Sequence, residues 1–311
     1  MLEQFMRDVD TGLSASFKHL SSKYFYDDIG SQIFQKIMAM PEYYLTNSEY
    51  EILSLQAKQI AEKVNFKVPF NIIELGAGDG YKTIRLLKNL KGLGLNFTYI
   101  PVDISKKAID ILSAKVADEI PDVKLEPYVG DYFKLLINLP NSIPSLVLFL
   151  GSNIGNFKDE DARSFLSLIQ SHLKPNDKLL IGFDLKKNPI TIKNAYDDPH
   201  EITKAFNMNL LHRINKELGA NFNLNKFDFY CHYNPITGEV RSYLVSLEKQ
   251  DVFIQSLEKT FSFDVNELIW TELSKKFDFI EIEALAVNSG YKLEHHFLDS
   301  KNYFTDSLWS K

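Results

Sequence analysis

The sequence predicts an α/β protein: a parallel sheet covered by helices on both faces, with an α+β unit inserted near the end of the sheet. Three observations carry this. Between residues 70 and 184, short apolar runs alternate with helix-compatible segments, as parallel strands with crossover helices require. The first apolar run, Ile72 to Leu75, breaks into three alternating glycines, Gly76-x-Gly78-x-Gly80, and a helical run follows at once. The alternation stops after Asp184, gives way to a different pattern, and resumes at Phe279.

The strands expected of the sheet are 70–75, 97–104, 124–130, 146–150 and 178–183, the fourth wholly apolar. Helices are expected over 82–93, over 106–117 with Ser105 as cap, and over 159–173 with Phe165, Leu166 and Ile169 on one face. In 189–225, Ile202, Phe206, Leu210, Leu211, Ile214 and Leu218 recur at threes and fours, which is helical. Residues 227–233 and 240–247 flank Asn234-Pro-Ile-Thr-Gly238, a hairpin turn. A helix over 279–289 and strands over 292–298 and 303–309 close the chain. The expected division is 1–62 as an N-terminal helical segment joining the inserted unit, 63–186 as the sheet domain, 187–273 as the insertion, and 274–311 as the end of the sheet domain.

A strand that breaks into a glycine turn and then a helix brings bare backbone close to a ligand, because glycine tolerates positive φ and adds no side chain. Asp103, near the end of the next apolar run, is placed to accept hydrogen bonds from a ribose diol. Together they point to an adenosine-containing cofactor. The spacing is not the G-x-G-x-x-G of dinucleotide sites, and two acids, Glu74 and Asp79, would oppose a phosphate. A cationic ligand fits better, and S-adenosylmethionine carries a sulfonium and an ammonium. The pattern Glu74-x-Gly76-x-Gly78-x-Gly80 resembles the first motif of class I methyltransferases. Ligands of such sheets lie at the carboxyl ends of the strands, where Glu74, Gly76, Asp103, Asp131 and Gly151 fall, so one cleft roofed by the insertion is expected.

Composition narrows the class. The chain has 311 residues, 45% hydrophobic and 24% charged, as in ordinary globular proteins. A net charge of −6 without a Lys/Arg stripe disfavours nucleic acid. The lone cysteine, Cys231, excludes an internal disulfide and a cysteine-based metal site, and no metal is expected. No apolar run approaches the ~20 residues of a bilayer span, and 1–10 lack a signal-peptide core. A cytoplasmic monomer acting on a small molecule is expected, with no membrane partner.

Several segments together resemble the histidine-specific, S-adenosylmethionine-dependent Nα-methyltransferases of ergothioneine biosynthesis. They include Phe25-Tyr-Asp-Asp-Ile-Gly-Ser31, Met40-Pro-Glu-Tyr-Tyr-Leu-Thr46 followed by Glu49, and Ile73 to Thr83. Tyr99 to Ser105, Leu148 to Phe157, Ala195-Tyr-Asp-Asp198, Phe206 to Leu211, Arg213 to Ala220 and Thr271 to Phe277 continue the match in the family's order. The resemblance implies a class I methyltransferase Rossmann-like sheet with an inserted α+β substrate-binding domain. It implies Nα-methylation of L-histidine, through three transfers, to trimethylhistidine (hercynine). Gly76, Lys82, Asp103, Asp131 and Tyr132, with Tyr26, are implied as cofactor contacts: Lys82 on the methionine carboxylate, Asp103 on the ribose, Asp131 on the adenine amino group and Tyr132 beside the ring. Tyr43, Asn156 and Tyr196 are implied to hold the amino acid's carboxylate and amine, with Asn156 and Tyr43 orienting the reacting group. Glu272 and Ser274, two apart and so on one face of a strand, are implied to read the imidazole.

By residue type alone, Lys82 is equally an exposed helix lysine, Asp131 a helix N-cap, Tyr26 a packing aromatic, Glu272 a solvated strand acid and Ser274 a helix cap. Asn153 and Ser242 depart from the family's usual threonine and methionine, and Asp198 to Thr203 from its usual glycine-containing turn. The competing readings are a methyltransferase of the same fold acting on another amino acid or small amine, and a non-catalytic S-adenosylmethionine-binding protein. A dinucleotide oxidoreductase is disfavoured by the glycine spacing and Asp79. A protein methyltransferase is disfavoured by the insertion, which suits a closed pocket.

Overall fold

The structure, a computed structural model, describes residues 2–130 and 143–311. Helices α1 (Leu2–Ser14), α2 (Asp28–Met38), α3 (Tyr44–Leu55) and α4 (Ala57–Val64) open the chain. Then come β1 (Phe70–Leu75), α5 (Thr83–Gly92), β2 (Phe97–Asp103), α6 (Lys106–Glu119), β3 (Lys124–Leu125) and β4 (Tyr128–Val129). β5 (Ser145–Phe149), α7 (Asp159–His172) and β6 (Lys178–Asp184) follow. After α8 (Pro189–Tyr196) and α9 (Ile202–Leu218) come β7 (Phe227–Asn234), β8 (Glu239–Ser246), β9 (Gln250–Ile254), β10 (Lys259–Phe263) and β11 (Leu268–Lys275). α10 (Phe279–Asn288), β12 (Lys292–Leu298) and β13 (Phe304–Ser310) complete the elements. The chain forms two compact units: Met1–Tyr44 with Lys187–Ser274, and Leu45–Lys186 with Lys275–Lys311.

The second unit is built on a sheet of order β12-β13-β6-β5-β1-β2-β3, with β4 also beside β2. β1, β2, β5 and β6 run parallel, and β13 is antiparallel to both β6 and β12. The chain leaves β1 toward β2 and then returns to β5 on the other side, so the order reverses between β1 and β5. That is where an open α/β sheet leaves a crevice at its carboxyl end. All six residues of β1 and all five of β5 are buried, because both faces are covered. Ile73, Leu75, Val102, Val147, Phe149 and Ile181 share a core with Phe165, Leu166 and Ile169 of α7 and with Ile282 and Ala286 of α10. The alternate residues Ile72, Leu146, Leu148 and Leu180 point the other way and are equally buried. On that side a small apolar gap lined by Ile60, Val64, Leu90 and Leu146 shows α4 and α5 meeting β5.

Residues 124–130, expected as one strand, form two short pieces. Pro127 lies between β3 and β4 and has no N–H for the ladder, so pairing with β2 lapses there. The last strand runs Phe304–Ser310, one residue later than expected.

The first unit carries a three-stranded sheet, β11-β8-β7, and a two-stranded ribbon of β9 and β10. Phe206, Leu210, Leu211, Ile214 and Leu218 of α9 form its core with Phe227, Leu244, Phe263 and Ile269. Gly219, at φ 65°, ends α9 in the left-handed conformation that a side chain would resist. The segment 189–225 divides into α8 and α9 because Asp198 stops one helix and starts the next. Its carboxylate accepts the N–H groups of His200, Ile202 and Thr203. Burial raises its proton affinity, but these bonds outweigh burial and hold the carboxyl below its usual range. α1 lies within the N-terminal segment expected to be helical, though its apolar stripe was not singled out. Its Phe5, Val9 and Leu13, four apart among charged residues, enter the same core.

Where the chain re-enters the second unit, Lys276 and Asp184 form an ion pair at 2.9 Å with both side chains fully buried. Removing one partner of such a pair strands a charge. Lys276→Met is expected to lower unfolding stability by about 3–5 kcal/mol in urea titrations. Lys276→Met combined with Asp184→Leu is expected to recover much of that loss.

Candidate active site

The turn after β1 is built for close approach. Gly76, Gly78 and Gly80 have φ of 72°, 54° and 69°, all in the left-handed region. The N–H groups of Gly76 and Ala77 donate to the Val102 carbonyl at 2.9 and 3.1 Å, tying the turn to β2. All three serve the positive φ, and Gly80 also the space. A Cβ at Gly80 would lie 2.9 Å from Leu112, whereas one at Gly78 would meet nothing within 4 Å and one at Gly76 only the Asn153 amide at 4.0 Å. The turn is therefore packed on its inner side and open on its outer side. Asp103, half-buried at the end of β2, accepts the N–H of Gly78 at 3.0 Å and of Ser105 at 2.8 Å. It thus orients the glycine turn as well as facing outward.

Both acids expected to face a ligand here are engaged within the protein. Glu74 is buried and accepts from Thr83 Oγ1 at 2.5 Å and from the Tyr99 hydroxyl. Burial pushes its carboxyl up to about 7 against the pull of those two bonds. At neutral pH it is only partly charged and serves the core. Asp79 is ion-paired with Lys115 at 2.8 Å and accepts the Tyr81 N–H. Neither acid stands as a bare charge toward a ligand. Lys82 precedes α5 rather than lying within it, and its ammonium is paired with the fully buried carboxylate of Glu49. Glu49, not among the expected site residues, also accepts the Gly151 N–H at 2.6 Å. Its signal in the sequence is a carboxylate on the apolar face of α3, spaced with Leu45, Ile52 and Leu53.

Beyond β5, Gly151 and Ser152 both take positive φ, at 78° and 56°. The strain at Ser152 is held by its hydroxyl, which accepts the Asp184 N–H at 2.9 Å. Asn153–Asn156 then forms a single 3₁₀ turn. A Cβ on Gly155 would come within 2.6 Å of the Lys275 carbonyl, so the turn sits tight against the returning chain. Asn156 is exposed, and its amide has no hydrogen-bond partner among the described residues. Asn153 lies against the two glycines Gly76 and Gly151. Asp131 and Tyr132 lie outside the described residues.

In the first unit the structure gathers Tyr26, Tyr43, Tyr196, Glu272 and Ser274. The rings of Tyr43 and Tyr196 meet edge to face at 6.1 Å, and the Tyr196 hydroxyl bonds Ser274 Oγ at 3.0 Å. Glu272 and Ser274 alternate along β11 and share a face. Thr271, on the opposite face, anchors the strand by donating to Asn207 Oδ1 at 2.7 Å and to the Ser242 carbonyl. Ser242 itself is buried in β8, opposite Cys231. Tyr26 packs edge to face on Phe34 and Phe206, yet 47% of it is exposed. Desolvation first, then the nearby Glu272 and Tyr43, keeps its hydroxyl protonated well beyond the usual range. Gly76, Lys82, Asp103 and Asn156 belong to the second unit. Among the described residues no cluster of His, Cys, Asp and Glu could hold a metal, and no helix is long and apolar enough to cross a membrane.

A seven-membered strand path with one antiparallel member, a left-handed glycine turn after β1 and a carboxylate ending β2 define an S-adenosylmethionine-dependent class I methyltransferase. Within that class the chain belongs to the histidine-specific, S-adenosylmethionine-dependent methyltransferases, whose family model matches residues 5–311. It is 33% identical over 306 residues to the histidine N-alpha-methyltransferase of Mycolicibacterium smegmatis. To that of Mycobacterium tuberculosis it is 34% identical over 305 residues. Both alignments cover 98% of this chain and 94% of the relative. Ergothioneine biosynthesis protein 1 of Schizosaccharomyces pombe is 32% identical over 284 residues, covering 88% of this chain and 36% of that longer protein.

The Glu74 carboxyl binds a proton on folding wherever the pH lies between its unfolded value of 4.5 and about 7. Stability therefore falls as pH rises through that window, by about 3 kcal/mol in all. Glu74→Gln should lack most of that decline, checked by urea unfolding at pH 5 and pH 8.

Proposed function

We propose that this protein transfers methyl groups from S-adenosylmethionine to the α-amino nitrogen of L-histidine, ending at trimethylhistidine, as a step of ergothioneine biosynthesis. The observation that carries the reading is the Tyr196–Ser274–Glu272 arrangement on one face of β11. A carboxylate beside a hydroxyl offers an acceptor and an ambivalent donor at strand spacing, which matches the N–H and the bare nitrogen of an imidazole. An apolar side chain would leave both groups unpaired. The family and the two mycobacterial relatives support the same substrate.

The second unit fits the cofactor: the open outer side of Gly76 and Gly78 accommodates the methionine portion, and Asp103 the ribose hydroxyls. Lys82, already bound to Glu49, adds a cation for the methionine carboxylate. Asp131 and Tyr132 are assigned to the adenine. Tyr26 is assigned to the cofactor as well; within the first unit it neighbours Glu272 and Tyr43. When bound, S-adenosylmethionine supplies an electrophilic methyl carbon on a sulfonium.

The protein's own part is to align and neutralise. The Asn156 amide, without a partner among the described residues, orients the amine lone pair, and Tyr43 and Tyr196 hold the carboxylate. A free amino acid's ammonium titrates about one to two units above the ~8 of a peptide terminus, so a minor neutral fraction exists near pH 8 and no strong base is required. Tyr26, kept protonated, can donate a hydrogen bond and cannot accept the amine's proton.

Glu272→Ala is expected to raise the KM for histidine at least ~10-fold, the worth of one charge-assisted hydrogen bond, while S-adenosylmethionine affinity stays within about twofold. Incubation with the twenty amino acids and S-adenosylmethionine should give mass gains of one to three methyl groups on histidine; gains on another amino acid would overturn the reading. Asp103→Asn, which keeps one acceptor for the turn, is expected to weaken cofactor binding about tenfold by calorimetry, or ~1.4 kcal/mol.

A further inference from the structure

The second unit holds a buried carboxyl pair that the reaction as described does not use. Asp306, on β13, is fully buried, and neither of its oxygens receives a hydrogen bond from an N–H or O–H among the described residues. The register explains where it points. Asp306 stands opposite Gly182 of β6, so both face the same side of the sheet. On that side a Cβ at Gly182 would lie 2.4 Å from Glu49 Oε1. Glu49 thus fills the space that Gly182 leaves empty, and the two carboxyls meet there.

Asp184, two residues from Gly182 on the same face of β6, is already paired with the buried Lys276. Lys82, at the start of α5, pairs with Glu49, and Glu74 of β1 feels both of them. On β12 the register partner of Asp306 is Phe297, which carries no charge. Asp299, beyond β12, is taken up by the N–H groups of Tyr303 and Phe304 and by Ser48. Two ionised carboxylates facing one ammonium would leave a net charge between two fully buried side chains, whereas one proton between them leaves the trio neutral. Like charges held together share a proton in this way. Burial first and Glu49 second act on Asp306 in that direction, against Lys82.

We propose that Asp306 and Glu49 share a single proton and act as one monoanionic pair that seats the Lys82 ammonium beside the glycine turn, so that Asp306 is a positioning residue for cofactor binding. Glu49 joins this pair to the Gly151 N–H, and the pair therefore fixes both sides of the strand-order reversal. The proposal rests on the reading of Lys82 as a cofactor contact.

Calorimetry with S-adenosylhomocysteine from pH 6 to 9 tests it. In the wild type, affinity should fall at least fivefold at the alkaline end as the shared proton leaves. Asp306→Asn keeps one charge and a donor for Glu49; it should bind within threefold of wild type at pH 7 and lose the alkaline fall. Glu49→Gln should weaken binding at least tenfold at pH 7. An unchanged alkaline fall in Asp306→Asn overturns the shared proton. Lys82→Met separates the two claims: unchanged affinity there overturns the cofactor link. The proton itself is read without ligand, from the carboxyl ¹³C shifts of aspartate-labelled wild type, assigned through the Asn variant. An Asp306 signal of the protonated form at pH 7 supports the proposal, and an ionised one overturns it even if a variant fails to fold.

Discussion

The buried carboxylate of Glu49 is the constraint on which the second unit's functional end depends. A charge taken wholly out of water must be met on every side, and Glu49 is met by an ammonium, a backbone N–H and a second carboxyl. Those partners come from the start of α5, the loop after β5, and β13. α3, which carries Glu49, is thereby locked over the ends of strands far apart in sequence. Apolar packing alone would hold the sheet together, as its two covered faces show, but packing is indifferent to small slides. The charge network is not, and it is placed where the glycine turn and the Asn153–Asn156 turn need fixed positions.

The first unit solves its positioning problem by different means. Its polar groups ride on β11, whose other face is pinned by Thr271 to Asn207 and to β8. Aromatic edges then fix the tyrosines: Tyr26 against Phe34 and Phe206, Tyr43 against Tyr196. Rings have few rotamers to lose, so they present hydroxyls in set places at low entropic cost.

The sheet was legible because strands buried on both faces are dominated by apolar residues, as β1, β5 and β6 are. Where a single residue overrides that rule, as Pro127 does between β3 and β4, the pattern still reads as one strand and misleads. The buried stripe of α1 was harder to read than its helical character, because only Phe5, Val9 and Leu13 carry it among charged neighbours. In the site, the alternation of Glu272 and Ser274 and the glycine turn could be read from spacing. The charges could not. Glu74 and Asp79 look like bare acids until Thr83, Tyr99 and Lys115 are placed around them, and Lys115 comes from another helix. Asp306 and Glu49 lie at opposite ends of the chain, and their meeting depends on the side chain that Gly182 lacks.

The first unit draws its core from two remote stretches of chain. Lys18 and Leu20 exchange backbone hydrogen bonds with Trp270, and Phe5, Val9 and Leu13 pack with Phe263 and Ile269. During synthesis on the ribosome, the helices made first must therefore wait, with much of their apolar stripes uncovered, until about two hundred residues later their partners in α9 begin to emerge. The sheet unit, whose strands β1 to β6 are contiguous, can begin to collapse in the meantime. The opening segment is in this sense the earliest made and among the last to be sheltered. A chaperone that holds nascent amphipathic helices would find its natural client there.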